Sequence, residues 1–252
     1  MNAMFNTEIL QSKSVCSEHK TQMIVMFGRE QCPACAIEYV KASNKEHDKQ
    51  VNRNVREQHF AGAMLPKRHE NSGFRNYKTE LPGQKNVLTQ TASYAKKIVK
   101  GEVTNLVMVG STGTGKTHLS CATARTLLAK GKYARYITSE AMAQKIMKAW
   151  DKDSKDQSEA SVIHEFTQYD LLILDEYGLH DREKRLELVH KVLYSRYDEA
   201  KSTMLISNMT LEQLKADLGD RLWSRFQHGG LTVVECNWND GRVGVQRETS
   251  PR

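Results

Sequence analysis

Leu106-Val107-Met108-Val109 runs straight into Gly110-Ser111-Thr112-Gly113-Thr114-Gly115-Lys116-Thr117, and this stretch decides the fold. Its second part matches GxxxxGK[ST] at each fixed position, the pattern of a phosphate-binding loop. A buried strand entering a glycine-rich turn lets backbone N–H groups converge on phosphate oxygens, because Gly113 and Gly115 carry no Cβ. Lys116 is then expected to reach the β- and γ-phosphates of ATP, and Thr117 to offer its hydroxyl to Mg²⁺. His118 to Lys130 is rich in helix formers and stops at Gly131, so the loop opens a helix whose N-terminal dipole also favours phosphate. Gly110 to Thr117, with the adjoining His118, are the candidate nucleotide-binding residues.

Outward from the loop, Leu171-Leu172-Ile173-Leu174 ends in Asp175-Glu176. An unbroken apolar run marks a strand buried on both faces, and parallel sheets place their ligands at the carboxyl ends of such strands. Asp175 is the expected Mg²⁺ partner opposite Thr117, and Glu176 the carboxylate that polarises the attacking water. A third strand, Met204 to Ser207, ends at Asn208, whose amide suits a γ-phosphate or that water. Arg221 and Arg225 then fall at i and i+4 on one helix face, as a solvated pair or as a guanidinium that completes a neighbouring ATP site.

The pattern beyond residue 86 alternates. Helices are expected at 89–100, 116–130, 139–150, 181–199 and 211–226, and strands at 106–110, 134–138, 170–175, 203–207 and 231–235. That order calls for an α/β fold with a parallel sheet flanked by helices. Before it, Ala36 to His59 is charged and free of Gly and Pro, with Ile37, Val40, Val51 and Val55 at helical spacing, so a long exposed helix is expected. Gly62, Pro66, Gly73 and Pro82-Gly83 punctuate residues 61–86 as a linker or lead-in. The expected division is therefore a 1–60 module, a 61–86 lead-in and an 87–252 ATPase domain.

Apolar residues make up 39% of the 252, mean hydropathy is −0.61, and no apolar run approaches the roughly 18 residues of a membrane span. The N-terminus has no signal-peptide pattern, so the cytoplasm is the expected compartment. Net charge is +7, and it is uneven: residues 1–100 hold 16 Lys and Arg against 9 acids, while residues 101–252 hold 21 of each. A basic excess beside a neutral nucleotide-binding domain points to an acidic partner, either nucleic acid or a protein surface.

Five cysteines in such a chain do not suggest a disulfide framework. Cys16-x2-His19 and Cys32-x2-Cys35, separated by twelve residues that include a short hairpin-like segment, have the spacing of a zinc ribbon or knuckle. A structural Zn²⁺ would supply the folding free energy that so polar a module lacks, and a closed four-ligand shell leaves no open catalytic position. Cys121 and Cys236 are expected to be packing residues.

GSTGTGKTHLSCATARTLL, LLILDEYG, LISNMT and LGDRLWSRF stand in the order and spacing of AAA+ ATPases, and the ensemble resembles the DnaC-type replicative helicase loaders over about residues 62–245, with PKRHENSGFRNY similar to the family's lead-in. The resemblance implies Walker A at 110–117, Walker B at Asp175 and Glu176, sensor 1 at Asn208, a trans arginine finger at Arg225 and self-association through the ATP site. Arg242 is a looser match to sensor 2. It also implies a hexameric replicative DNA helicase as partner for the N-terminal module and single-stranded DNA as partner for the ATPase domain. Arg182, Lys184 and Arg185, after Walker B, are the candidate DNA contacts, with a solvated helix face as the alternative. The zinc-like module departs from the enterobacterial chromosomal loader. A transposition helper ATPase of the same family shares the ATPase residues, whereas a small-molecule P-loop kinase fits poorly with Asp175-Glu176, Asn208 and the Arg225 helix.

Overall fold

A computed structural model describes residues 10–150, 158–178 and 183–239. By packing, the chain divides into two compact units, Met1–Val55 and Arg56–Arg252.

The first unit contains an antiparallel ribbon: β1 (Leu10–Val15), β2 (Gln22–Met26) and β3 (Arg29–Gln31), in that spatial order. Phe27 and Gly28 join β2 to β3 with φ of 49° and 73°, so the tight turn sits wholly in left-handed backbone, matching the strands' twist. A long helix, α1 (Pro33–Gly62), follows and buries none of its residues. Pro33 occupies its first position, where the missing N–H costs nothing.

The second unit is built on five parallel strands in the order β5-β6-β7-β4-β8: β4 (Asn105–Gly110), β5 (Ala134–Thr138), β6 (Leu171–Tyr177), β7 (Ser202–Ser207) and β8 (Leu231–Cys236). Strand side chains alternate between two apolar layers. Leu172, Leu174, Val107 and Leu205 face α4 (Ser139–Lys148), α5 (Glu159–Gln168), α6 (Glu183–Asp198) and α7 (Leu211–Gln227). Leu171, Ile173, Leu106 and Met204 face α2 (Pro82–Val99) and α3 (Lys116–Leu128). Both faces of the sheet are therefore covered, as its apolar strands require. Inside the first layer Arg196 is fully buried, donating to the carbonyls of Phe166 (2.6 Å), Tyr169 (3.0 Å) and Ser202, and burial holds its guanidinium down to about 9.

Three elements differ from the sequence expectation. Helix α2 starts at Pro82, not Thr89, because Pro at the first position is a helix initiator, and Gln84 returns its side-chain oxygen to the Leu81 N–H at 2.9 Å. Helix α5 was not anticipated; Ser158 caps it by accepting from Ser161 N at 3.1 Å, and Val162 and Phe166 bury its apolar face. Helix α7 is broken at Gly219, whose φ of 71° and ψ of 159° lie outside helical space, so residues 211–226 are not one continuous helix. Among the described residues, no helix is long and apolar enough to cross a membrane.

Candidate nucleotide and metal sites

The carboxyl ends of β4, β6 and β7 converge on a cleft of about 600 Å³, within the range of small-ligand sites. Its floor is the loop that joins β4 to α3. Gly110, Gly113 and Gly115 hold φ of 130°, 79° and 87°, which L side chains rarely adopt. A Cβ at Gly110 would lie 2.3 Å from the Cys236 carbonyl oxygen, and one at Gly115 2.8 Å from Cε2 of Tyr77. Thr112, Gly113, Thr114, Gly115 and Lys116 line the cleft. Lys116 is nearly buried and donates to the carbonyls of Gly110 and Ser111, each at 2.7 Å. Its ammonium is thus held inside the loop's own ring of acceptors, in place to exchange them for phosphate oxygens. The Ser111 hydroxyl points elsewhere, to the Trp238 carbonyl at 3.3 Å.

Thr117, Asp175 and Glu176 also line the cleft. Thr117 Oγ1 donates to Asp175 Oδ2 at 3.0 Å, so the two residues expected at Mg²⁺ are in direct contact across 58 positions of sequence. The tyrosine hydroxyl of Tyr136, from β5, donates to the same oxygen at 2.7 Å, while the Glu176 N–H serves Oδ1 at 2.7 Å. Burial drives the Tyr136 hydroxyl's pKa far upward, which keeps it a proton donor to the carboxylate. Pairing of β6 with β7 slips between Leu174 and Tyr177, and Glu176 sits in this bulge with φ of 57°. Such irregularities re-aim a side chain, here leaving the Glu176 carboxylate exposed beside a buried Asp175. Asn208 lies exposed at the end of β7 and lines the same cleft.

The remaining wall includes Arg68, His69 and Tyr77, from the lead-in stretch PKRHENSGFRNY, and Lys78, Gln84 and Trp238, which no motif singles out. Tyr77 donates to the Thr114 carbonyl at 3.2 Å, with its pKa pushed up to about 12 by burial. His118 lines the cleft and pairs its Nε2 with the Gly73 carbonyl at 3.0 Å. Burial likewise pushes the Cys236 thiol up to about 11, and with Cys121 it is fully buried.

In the first unit, one ligand atom each from Cys16, His19, Cys32 and Cys35 lies within 4.8 Å of all the others. The Sγ atoms of Cys16 and Cys35 are 3.7 Å apart, and His19 Nδ1 lies 3.9, 3.9 and 3.3 Å from Cys16, Cys32 and Cys35. Four ligands about 2.3 Å from a tetrahedral zinc are separated by edges of about 3.8 Å, so donor set and spacing both suit Zn²⁺. His19 turns its other nitrogen to Glu38 at 3.1 Å, the outer partner that metal-binding histidines commonly have.

A family model described as IstB-like ATP binding protein matches residues 37–226. The chain is also 30% identical over 180 residues to the replicative helicase loader DnaC of Escherichia coli K12, covering 70% of this chain and 71% of that one. It belongs to the IstB-like, DnaC-related AAA+ ATPases. A solved DnaC helicase loader superposes with a TM-score of 0.60 at 22% identity, over 68% of this chain and 99% of that one. The replication initiator DnaA bound to AMPPCP and single-stranded DNA superposes with a TM-score of 0.55 at 22% identity, over 68% and 51%. These last two establish the fold alone.

In this AAA+ ATPase the other sequence candidates are dispersed. Arg225, on α7, stacks its guanidinium over Tyr194 (4.7 Å) and Tyr197 (4.9 Å), with Asp198 3.9 Å away. It is not among the residues that line its own cleft. Lys184 lies over the Trp150 ring at 4.8 Å, and Arg185 pairs with Glu140 at 3.0 Å. Arg182 and Arg242 lie outside the described residues. The family implies a bound nucleotide, and the loop, the Thr117–Asp175 pair and the cleft volume suit one with its Mg²⁺.

Proposed function

We propose that this ATPase is a helicase loader in DNA replication, with residues 1–60 binding a hexameric replicative helicase and the domain at 87–252, behind the 61–86 lead-in, hydrolysing ATP and engaging single-stranded DNA. The observation that carries the reading is a division of chemistry. The ATP cleft falls wholly in one unit, while a separate unit presents Phe27, Ile37, Tyr39 and Val40 to solvent. Large apolar side chains left exposed on a small module suit a protein partner. Cys16, His19, Cys32 and Cys35 would hold Zn²⁺, which would tie that module together.

In the cleft, Thr117 and Asp175 would hold Mg²⁺, which would supply positive charge against the phosphates. Tyr136 fixes the Asp175 carboxylate, and Lys116 is placed to exchange its loop carbonyls for phosphate oxygens. Glu176 orients the attacking water, with Asn208 beside it. Arg225, held away from its own cleft, serves the cleft of an adjoining copy, which makes hydrolysis depend on self-association.

The IstB-like family match favours a second reading, a transposition helper ATPase. One experiment separates the two: affinity capture with the full chain as bait, zinc loaded, against the host's purified replicative helicase. Stoichiometric retention supports the loader. No retention of the helicase, with ATP binding intact, defeats it in favour of the transposition role.

A further inference from the structure

The basic excess of the first hundred residues is not in the N-terminal module. Residues 1–60 carry 8 Lys and Arg against 7 acids, whereas residues 61–100 carry 8 against 2. This second stretch lies in the ATPase unit. Arg68 and Lys78 belong to the nucleotide cleft, but Lys85, Lys96, Lys97 and Lys100 do not. All four are exposed on α2 or at its C-terminal cap.

Helical geometry gathers them. Lys85, Thr89, Ser93, Lys96, Lys97 and Lys100 fall at i, i+4, i+8, i+11, i+12 and i+15, a single face about 22 Å long at 1.5 Å per residue. The opposite face, Val87, Thr91, Tyr94, Ala95 and Ile98, is the buried one. Between Glu80 and Glu102 there is no acidic residue, so nothing on the helix neutralises the row. Among the described residues, none of the four lysines has an ion pair.

We infer that this face of α2 is a phosphate track for nucleic acid. Lysines spaced along a straight rod, interleaved with hydroxyl groups, match a row of backbone phosphates. A protein partner is the poorer match, because protein interfaces are depleted in lysine and rely on buried aromatic or aliphatic anchors, and this face presents none. The same comparison moves the contact away from α6, where Lys184 and Arg185 already have Trp150 and Glu140 as partners. The inference rests on the reading that the ATPase unit engages DNA, and it supplies the surface.

The test is a salt titration of the full chain against a fluorescent oligo-dT strand, comparing the native sequence with the quadruple variant Lys85→Gln, Lys96→Gln, Lys97→Gln and Lys100→Gln. ATP binding serves as the check on folding. Four lost phosphate contacts should flatten the slope of log K against log salt by about 2 to 3 and weaken binding at least about 10-fold at low salt. A control, Lys184→Gln with Arg185→Gln, should leave both nearly unchanged. Unaltered binding by the quadruple variant, or loss only in the α6 control, overturns the inference while sparing the DNA reading. No binding by the native chain defeats both. Lysine-modification footprinting of the unsubstituted chain reads the same question without mutation: protection of these four lysines by oligo-dT supports the track, and equal labelling with and without it rejects the track.

Discussion

Between Leu10 and Val55 the buried side chains are Ser12, Cys16 and Cys32, whereas the second unit buries two apolar layers against both faces of a five-stranded sheet. Among its described residues the first unit has no apolar core to offset the entropy of ordering its ribbon, so its fold depends on whatever joins the four Cys and His ligands. The second unit carries its own stability and can devote buried polar groups such as Asp175 and Lys116 to a site. Each unit should therefore fail alone, for its own reason.

The largest effect should come from metal removal. Apparent binding free energies of structural zinc run to about 10–16 kcal/mol, so chelation, or Cys32→Ser, should unfold the ribbon as followed by backbone NMR. Metal analysis of the native chain should give one zinc per chain, and ATP binding should survive its removal; loss of both together would break the comparison. Glu176→Gln should lower ATP turnover by about 10²- to 10⁴-fold with ATP affinity and zinc content retained, measured by phosphate release. Leu127→Ala, in the α2/α3 layer, should cost the ATPase unit about 2–5 kcal/mol in denaturant titration and leave the ribbon's signals in place. Smallest, Tyr136→Phe removes one of the donors to the Asp175 carboxylate and should cost about 1.5 kcal/mol, with a raised Mg²⁺ requirement for turnover.

The sequence carried the floor of the site because its chemistry is contiguous: the loop at 110–117 and the Asp175-Glu176 pair each announce themselves within a few residues. It did not carry the walls. Tyr136 reaches Asp175 only because β5 lies beside β6, and Tyr77, although it closes the stretch PKRHENSGFRNY, reaches Thr114 from 37 positions upstream; no local pattern announces either contact. Helix α5 escaped because its ten residues follow a polar run, and its cap, Ser158, reads as one more loop serine. Pro82-Gly83 misled in the opposite way, since the dipeptide that ends one element also begins another. Charge behaved similarly: counting places the basic excess in residues 61–100, but only the helix and its burial show that four of those lysines share the exposed face of α2.

Glu176 stands in a backbone conformation that costs a non-glycine residue about 1–2 kcal/mol. Glycine there would relieve the strain, so Glu176→Gly should melt higher while hydrolysing nothing. The better-folded protein would be the dead one, and the glutamate at this bulge records a trade in which turnover, rather than endurance, has been kept.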